Sequence, residues 1–237
     1  MFWTIAWPAL WVVLVSVVLI SGVPGEILPQ TRGAVTISMM GLGLITSGIV
    51  NLAGSIAGDK ERGIHHKFVS TPLKAWEDAL GRLMGLFVFA FVGSMLVLIV
   101  GVAIGARFSC ALTNILQSIG YGLLILLSSG GIGVIFGSMI AGEGAATHIG
   151  VGVTVVTASI SGLFTPYSTL PDILKRFAEY YPPSSAIASI IQLLEGEHFV
   201  GYNPLTPEHV LYTMISSTTL FILGLAVYRQ KIWASRL

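Results

Sequence analysis

The sequence has 237 residues, of which 10% are charged and 54% belong to the hydrophobic set, where a soluble chain carries about a quarter charged residues. That composition excludes an ordinary soluble domain and points to a polytopic membrane protein. The formal charge of +1 marks no partner, and the twelve basic residues are scattered without a stripe of aromatics between them, which excludes a nucleic-acid role.

A helix needs about 20 apolar residues to cross a bilayer, and six runs meet that length. They cover roughly residues 2–23, 34–57, 83–106, 114–142, 149–168 and 210–228. The runs are continuous rather than alternating, so helices are expected and a barrel is not. The fold class is therefore all-α: one transmembrane domain over 1–237 with six spans. The first run is too long and too free of basic residues to be a cleaved signal peptide. Trp3, Trp7 and Trp11 recur on one face of it, either as interfacial anchors or as plain lipid-facing packing. Pro24, Gly25 and Pro29 are expected to break the chain into a short external turn, VPGEILPQTRG.

Span two runs into residues 58–82, GDKERGIHHKFVSTPLKAWEDALGR, the only dense run of charge in the chain. Ile64 and Phe68 share a helical face, with Arg62, His66 and Lys67 expected to stay wet. His65 and His66 are adjacent, point about 100° apart and make no metal pair, so a solvated face is expected of them. Thr71 followed by Pro72 reads as a helix start, with Glu77 and Asp78 near its positive end and Trp76 at the interface.

Small residues then mark close helix contacts: Gly101 and Gly105, and the run Ser128, Ser129, Gly130, Gly131, Gly133 and Gly137. The link GEGAATH is short, so spans four and five are expected to be antiparallel neighbours. Beyond span five, Ile173, Leu174 and Phe177, then Ile187, Ile190, Ile191 and Leu194, stand at helical spacing on either side of Pro182 and Pro183. Two short helices within 169–199 are expected, lying on the outer surface or dipping in and returning.

Orientation follows from the basic residues at the span ends. Residues 58–82 hold five and the tail adds Arg229, Lys231 and Arg236, against Arg32, Arg107, Lys175 and Arg176 on the other side. A multi-pass cell-membrane protein with both termini cytoplasmic is expected.

No Lys, Arg, Asp, Glu or His lies inside the six proposed spans, so no ion gradient has a visible point of entry. The nucleotide loop GxxxxGK[ST] does not occur, so the chain is not expected to be an enzyme, and energy for any transport must come from outside, with 58–82 the natural attachment point. Cys110 is alone, which excludes an internal disulfide. Glu195 and His198 have Glu-x-x-His spacing but no partner carboxylates, so no metal or other cofactor is expected. Ser128, Ser129 and Ser138 lack a histidine base in any span, which disfavours an intramembrane protease. Hydroxyls at Thr154, Thr157, Ser159, Ser161 and 216–219 would meet a polar cargo or bond to their own helices.

These residues resemble a known family. DKERGIHHKFVSTPLKAWEDALGRL is similar to the stretch around the coupling helix of type-2 ATP-binding-cassette (ABC) transporter permeases. FWTIAWP resembles that family's start of span one, and SGLFTPYSTLPDILKRFAEYYPPSSAIASIIQLLEGE resembles its span-five exit. The resemblance implies an exporter subunit for drugs, lipids or polysaccharides that pairs with a second permease copy, as homodimer or heterodimer, and with cytoplasmic ABC ATPase subunits that bind the ATP. Glu61, Arg62, Gly63, Ile64, Phe68, Thr71 and Pro72 match the coupling positions. Leu170, Pro171, Phe177, Pro182 and Gly196 match the external gate region. Such permeases begin with an interfacial helix, whereas this sequence opens inside span one; either the start lies upstream or docking relies on 58–82 and the tail. The uncharged spans favour an apolar or amphipathic cargo. The alternative reading is a six-span assembly or anchoring protein without transport.

Overall fold

The computed structural model describes residues 2–20, 22–69, 71–108, 111–161, 163–164, 167, 170–196 and 199–233; the side chains of 2–5, 19, 66, 68, 69 and 160 fall outside the description. The side chain of Trp3, the imidazole of His66 and the ring of Phe68, with Cys110, Ser168, His198 and Arg236, therefore lie outside the description. Among the described residues there are nine helices and no strand. They are α1 (Phe2–Leu14, continued by a π turn Val15–Leu19), α2 (Leu28–Glu61), α3 (Ile64–Val69), α4 (Ala75–Ala103), α5 (Leu112–Met139), α6 (Glu143–Ile160), α7 (Asp172–Tyr180), α8 (Pro182–Glu195) and α9 (Pro207–Trp233).

Helices α2, α4, α5 and α9 are long and apolar enough to cross a membrane. A shorter apolar stretch, Ala6–Val18, lies in α1, and α6 is an 18-residue helix that opens on Glu143. A multi-pass membrane protein follows from the four long helices.

Several helix ends differ from the sequence expectation. Helix α2 begins at Leu28, so Pro29 opens the helix instead of ending a turn; its missing N–H falls where a helix has no use for one. Helix α4 begins at Ala75, and Thr71 and Pro72 lie before it as exposed bends. Lys74 is the extended N-cap residue, and the Glu77 carboxylate accepts its N–H at 2.8 Å. The carboxylate three residues into the helix thus fixes the start, not the Thr-Pro pair. Most of GEGAATH is helical, because the reversal between α5 and α6 takes only residues 140–142, closed by Gly142 at φ 90°. Helix α6 then rests mainly on the last turns of α2 rather than on α5.

Helix α5 is the centre of the packing. With no hydrophobic effect to drive helices together in lipid, close contact depends on small residues. A Cβ on Gly133 would collide with the backbone of Gly48 on α2, one on Gly131 with the backbone of Leu220 on α9, and one on Gly224 of α9 with the backbone of Gly131. One apolar cluster gathers Met39, Leu42, Ile45, Ile49, Val97 and Ile187, and a second gathers Leu52, Ile56, Leu83, Leu126, Phe221 and Tyr228. Helix α8 is buried along 182–187, where it packs against α5 and α2. Within α2, residues Ser47–Asn51 form a π turn, a feature that often marks functional sites.

Candidate functional site

The charge of residues 58–82 is gathered at one end of the bundle, and much of it is used internally. At the end of α2, Lys60 and Glu61 serve opposite helix termini. Lys60 Nζ donates to the Ser138, Ile140 and Gly137 carbonyls at 2.7, 3.1 and 3.4 Å, covering the C-terminal end of α5. The Glu61 carboxylate accepts the Glu143 N–H at 2.9 Å, at the N-terminal end of α6. An ammonium on bare carbonyls and a carboxylate on a bare N–H both match the helix dipole. Two adjacent side chains on α2 therefore hold both sides of the α5–α6 turn.

Arg82 on α4 is the second hub. It donates from Nη1 to Asp59 at 2.7 Å and Ser55 at 2.8 Å, and from Nε to Asp78 at 3.0 Å. The Tyr228 hydroxyl donates to the same Asp78 carboxylate, so α2, α4 and α9 meet here. His65 is buried, contrary to the wet face expected of it. Its Nε2–H donates to the Ile56 carbonyl at 3.2 Å and its ring lies edge-on to Tyr228. Burial, the largest influence, lowers the His65 pKa and favours the neutral ring.

The other positions that match the family's coupling stretch lie around this frame. Arg62 is exposed and pairs with Glu143 on α6 at 2.7 Å, and more loosely with Asp59 at 3.4 Å. Gly63, at φ 67°, takes the left-handed turn that ends α2 and launches α3. Ile64 is half-buried, Thr71 and Pro72 are exposed, and the Phe68 side chain lies outside the described residues. Four of the seven positions, Glu61, Arg62, Gly63 and Ile64, thus stand together on the turn, with Phe68 in α3 and Thr71 and Pro72 on the loop beyond it. Sequence reasoning missed Glu143, Asp59, Arg82 and Tyr228. Glu143 was legible only as part of a link, and its role requires knowing that α6 begins there.

Between α1, α2 and α6 lies a cavity of about 460 Å³ lined by Trp7, Leu42, Thr46, Asn51, Thr154 and Phe164 among others. Thr154 is buried, and its hydroxyl has no hydrogen-bond partner among the described residues. Most other hydroxyls bond to their own helices: Thr157 to the Val153 carbonyl, Ser159 to Val155, Ser216 to Tyr212 and Thr218 to Met214. Ser128, Ser129 and Ser138 do the same with Leu124, Ile125 and Val134.

At the far end, Leu170 and Pro182 are buried, while Pro171 is exposed as the N-cap of α7. Phe177 stacks on Tyr181, and Gly196 ends α8 at φ 93°. Burial pushes the Glu195 carboxyl up to about 8. Sequence reasoning also missed a closed hydrogen-bond ring there. Thr213 Oγ1 donates to the His209 carbonyl, which leaves it to accept from Ser185 at 2.7 Å, and Ser185 in turn accepts from His209 Nε2–H at 2.9 Å. In that direction the histidine is a donor to the serine and gives it no activation as a nucleophile. Tyr180, Tyr202 and Tyr212 surround the imidazole, with centroids 5.4 to 6.2 Å away.

No curated protein matches the chain as a relative. Residues 27–228 match the family model described as ABC-2 family transporter protein, a span that runs from just before α2 into the last turns of α9 and includes both the charged frame and the far-end helices. The matched stretch holds all four long apolar helices, and that family supplies the membrane component of ABC transporters, which works with an ABC ATPase and is not itself one. The chain belongs to the ABC-2 family of transporter proteins, as a membrane permease.

Proposed function

We propose that the chain is the permease subunit of an ABC exporter that moves an apolar or amphipathic cargo out of the cytoplasm, with α3 as the coupling helix on which a separate ATPase docks. The observation that carries this reading is the paired capping by Lys60 and Glu61 immediately before the Gly63 turn. A push on α3 reaches the α5–α6 turn within a few residues, through bonds already made. Arg62 and Glu143 extend the same link in the open, where a partner can reach them. Thr71 and Pro72 then act as a joint ahead of α4, not as its cap.

The charged end and both termini face the cytoplasm in this reading, and α1 and α6 act as the two remaining spans. ATP binds on the partner subunit, and this chain needs no cofactor. The cargo path is the cavity between α1, α2 and α6, where apolar walls and the Thr154 hydroxyl suit an amphipathic molecule. A second permease copy against α1 and α6 closes that cavity. Leu170, Pro171, Phe177, Pro182 and Gly196 shape the helices that close its outer end.

The test is co-purification with the ATPase from detergent. Ile64→Asp and Phe68→Asp are expected to release the ATPase while the permease stays monodisperse. An ATPase that remains bound to both variants would contradict docking on α3.

A further inference from the structure

A second cleft, on a different face of α2 from the cargo cavity, has no role in the reading above. It measures about 300 Å³ and lies between α4 and α5, with α2 and α8 as its floor. The two helices are consecutive in the chain, yet they stand apart over α2 and touch one another little. Phe91 and Leu98 form one wall, Ile115 and Ile119 the other, and Leu44 and Ile190 lie beneath.

Three observations decide what fits there. No charged side chain lines the cleft; of its two hydroxyls, that of Ser118 is bonded to the Asn114 carbonyl and only that of Ser94 has no partner among the described residues, so a water inside would find one polar partner where buried water needs two to four. One turn of a helix about 11 Å across and 5.4 Å long occupies roughly 500 Å³, so the cleft is too small for a second helix but suits an extended hydrocarbon chain. Empty apolar volume of this size forfeits the contacts of every atom lining it. The mouth opens between two helices of membrane-crossing length whose outer faces, at Val88, Ile99 and Leu116, are exposed and apolar. The surrounding solvent at that point is acyl chain.

One end of the cleft is marked by charge. Phe108 lines it, and the neighbouring Arg107 is exposed on a loop that its own N–H pins to the Pro29 carbonyl at 3.2 Å. We propose that one acyl chain of a resident phospholipid fills this cleft and wedges α4 from α5, with its phosphate at Arg107. The lipid is a bound structural partner and not the cargo, because the cargo cavity lies between α1, α2 and α6 and shares no lining residue with this cleft.

The experiment reconstitutes the full chain in phosphatidylcholine and phosphatidylglycerol vesicles that contain a phosphatidylglycerol with a diazirine midway along one acyl chain. After illumination, adducts are mapped by peptide mass spectrometry. Adducts on 87–98 and 115–122 are expected to be about tenfold denser than on the outward-facing stretch 211–223, since a bound chain has a far higher local concentration than bulk lipid. Gly122→Leu is designed to fill the cleft, because a Cβ at Gly122 meets only ordinary contact with Leu44. It should remove the excess labelling and leave 211–223 unchanged. Arg107→Ala should keep the chain in place and lose the preference for phosphatidylglycerol over phosphatidylcholine. Labelling of the wild-type cleft no denser than 211–223, as a closed cleft or one covered by a second copy would give, overturns the proposal. Undiminished labelling in Gly122→Leu overturns it too. The comparison within the wild-type chain stands even where a variant fails to fold, and it is independent of whether α3 couples to an ATPase.

Discussion

Asp59 on α2 and Arg82 on α4 form a 2.7 Å ion pair whose side chains are only 15% and 13% exposed. Asp78 and Ser55 complete the guanidinium's bonding, and the Tyr228 hydroxyl completes that of Asp78. The pair works as a rivet between three helices because every charge in it has a partner. Removing one partner strands the other. Arg82→Met is expected to cost about 3 kcal/mol, the scale for breaking a buried pair, and Asp59→Asn somewhat less. Thermal unfolding of the detergent-solubilised chain measures both, and the double variant should cost less than the sum of the two.

Lys60 and Glu61 act on the turn between α5 and α6, 77 to 82 residues away. Lys60→Met leaves the last carbonyls of α5 bare, and Glu61→Gln weakens the cap on α6. Each should cost about 1 kcal/mol. The local signature is faster amide hydrogen exchange over residues 136–147, with protection at the Gly131–Gly224 crossing unchanged.

His65 gives the charged end a pH dependence with a definite sign. Burial lowers its folded pKa below the ordinary 6.5, so between the two values the unfolded chain binds more protons. Its contribution to stability is complete above about pH 6.5 and is lost as the pH falls through the folded pKa. The unfolding midpoint should drop more between pH 7 and pH 5 in the wild type than in His65→Phe. Asp59, Asp78 and Arg82 act on the same ring, so the comparison belongs in a single chain background.

The far-end ring joins α8 to α9 through three neutral or donor-only steps. Ser185→Ala removes the middle link and leaves Thr213 Oγ1 and His209 Nε2 without it, at an expected cost of about 1 to 2 kcal/mol. Ser185→Thr restores a hydroxyl but adds a methyl where the serine has no exposed surface, so it should rescue only in part. Unfolding midpoints of the two variants check the order.

The helices and their approximate extents were legible in the sequence because continuous apolar runs of spanning length have few other readings. The far-end pair was legible for a similar reason: Pro182 and Pro183 punctuate two stretches of helical spacing. Pairing across the bundle was not legible. Lys60, Glu61 and His65 carry the residue types of a wet surface, and only three-dimensional register shows that α5 ends and α6 begins beside the first two and that α9 covers the third. The start of α4 was misjudged because two signals compete over 71–77. Pro72 suits a first helical position, but Glu77 reaches back to Lys74, and that bond prevails. His209 escaped notice because it sits one residue before the apolar run, in the first turn of α9.

The exposed pair Arg62–Glu143 tests the central claim most directly, because it adds little to stability in its exposed setting yet ties the start of α3 to α6. The measurement is cargo-stimulated ATP hydrolysis by the permease reconstituted with its ATPase, for Arg62→Glu, Glu143→Arg and the double reversal. Each single reversal should cut stimulation by about tenfold with the unfolding midpoint unchanged, and the double reversal should restore it. Full stimulation in both single variants, or a double variant no better than either, would contradict coupling through this contact.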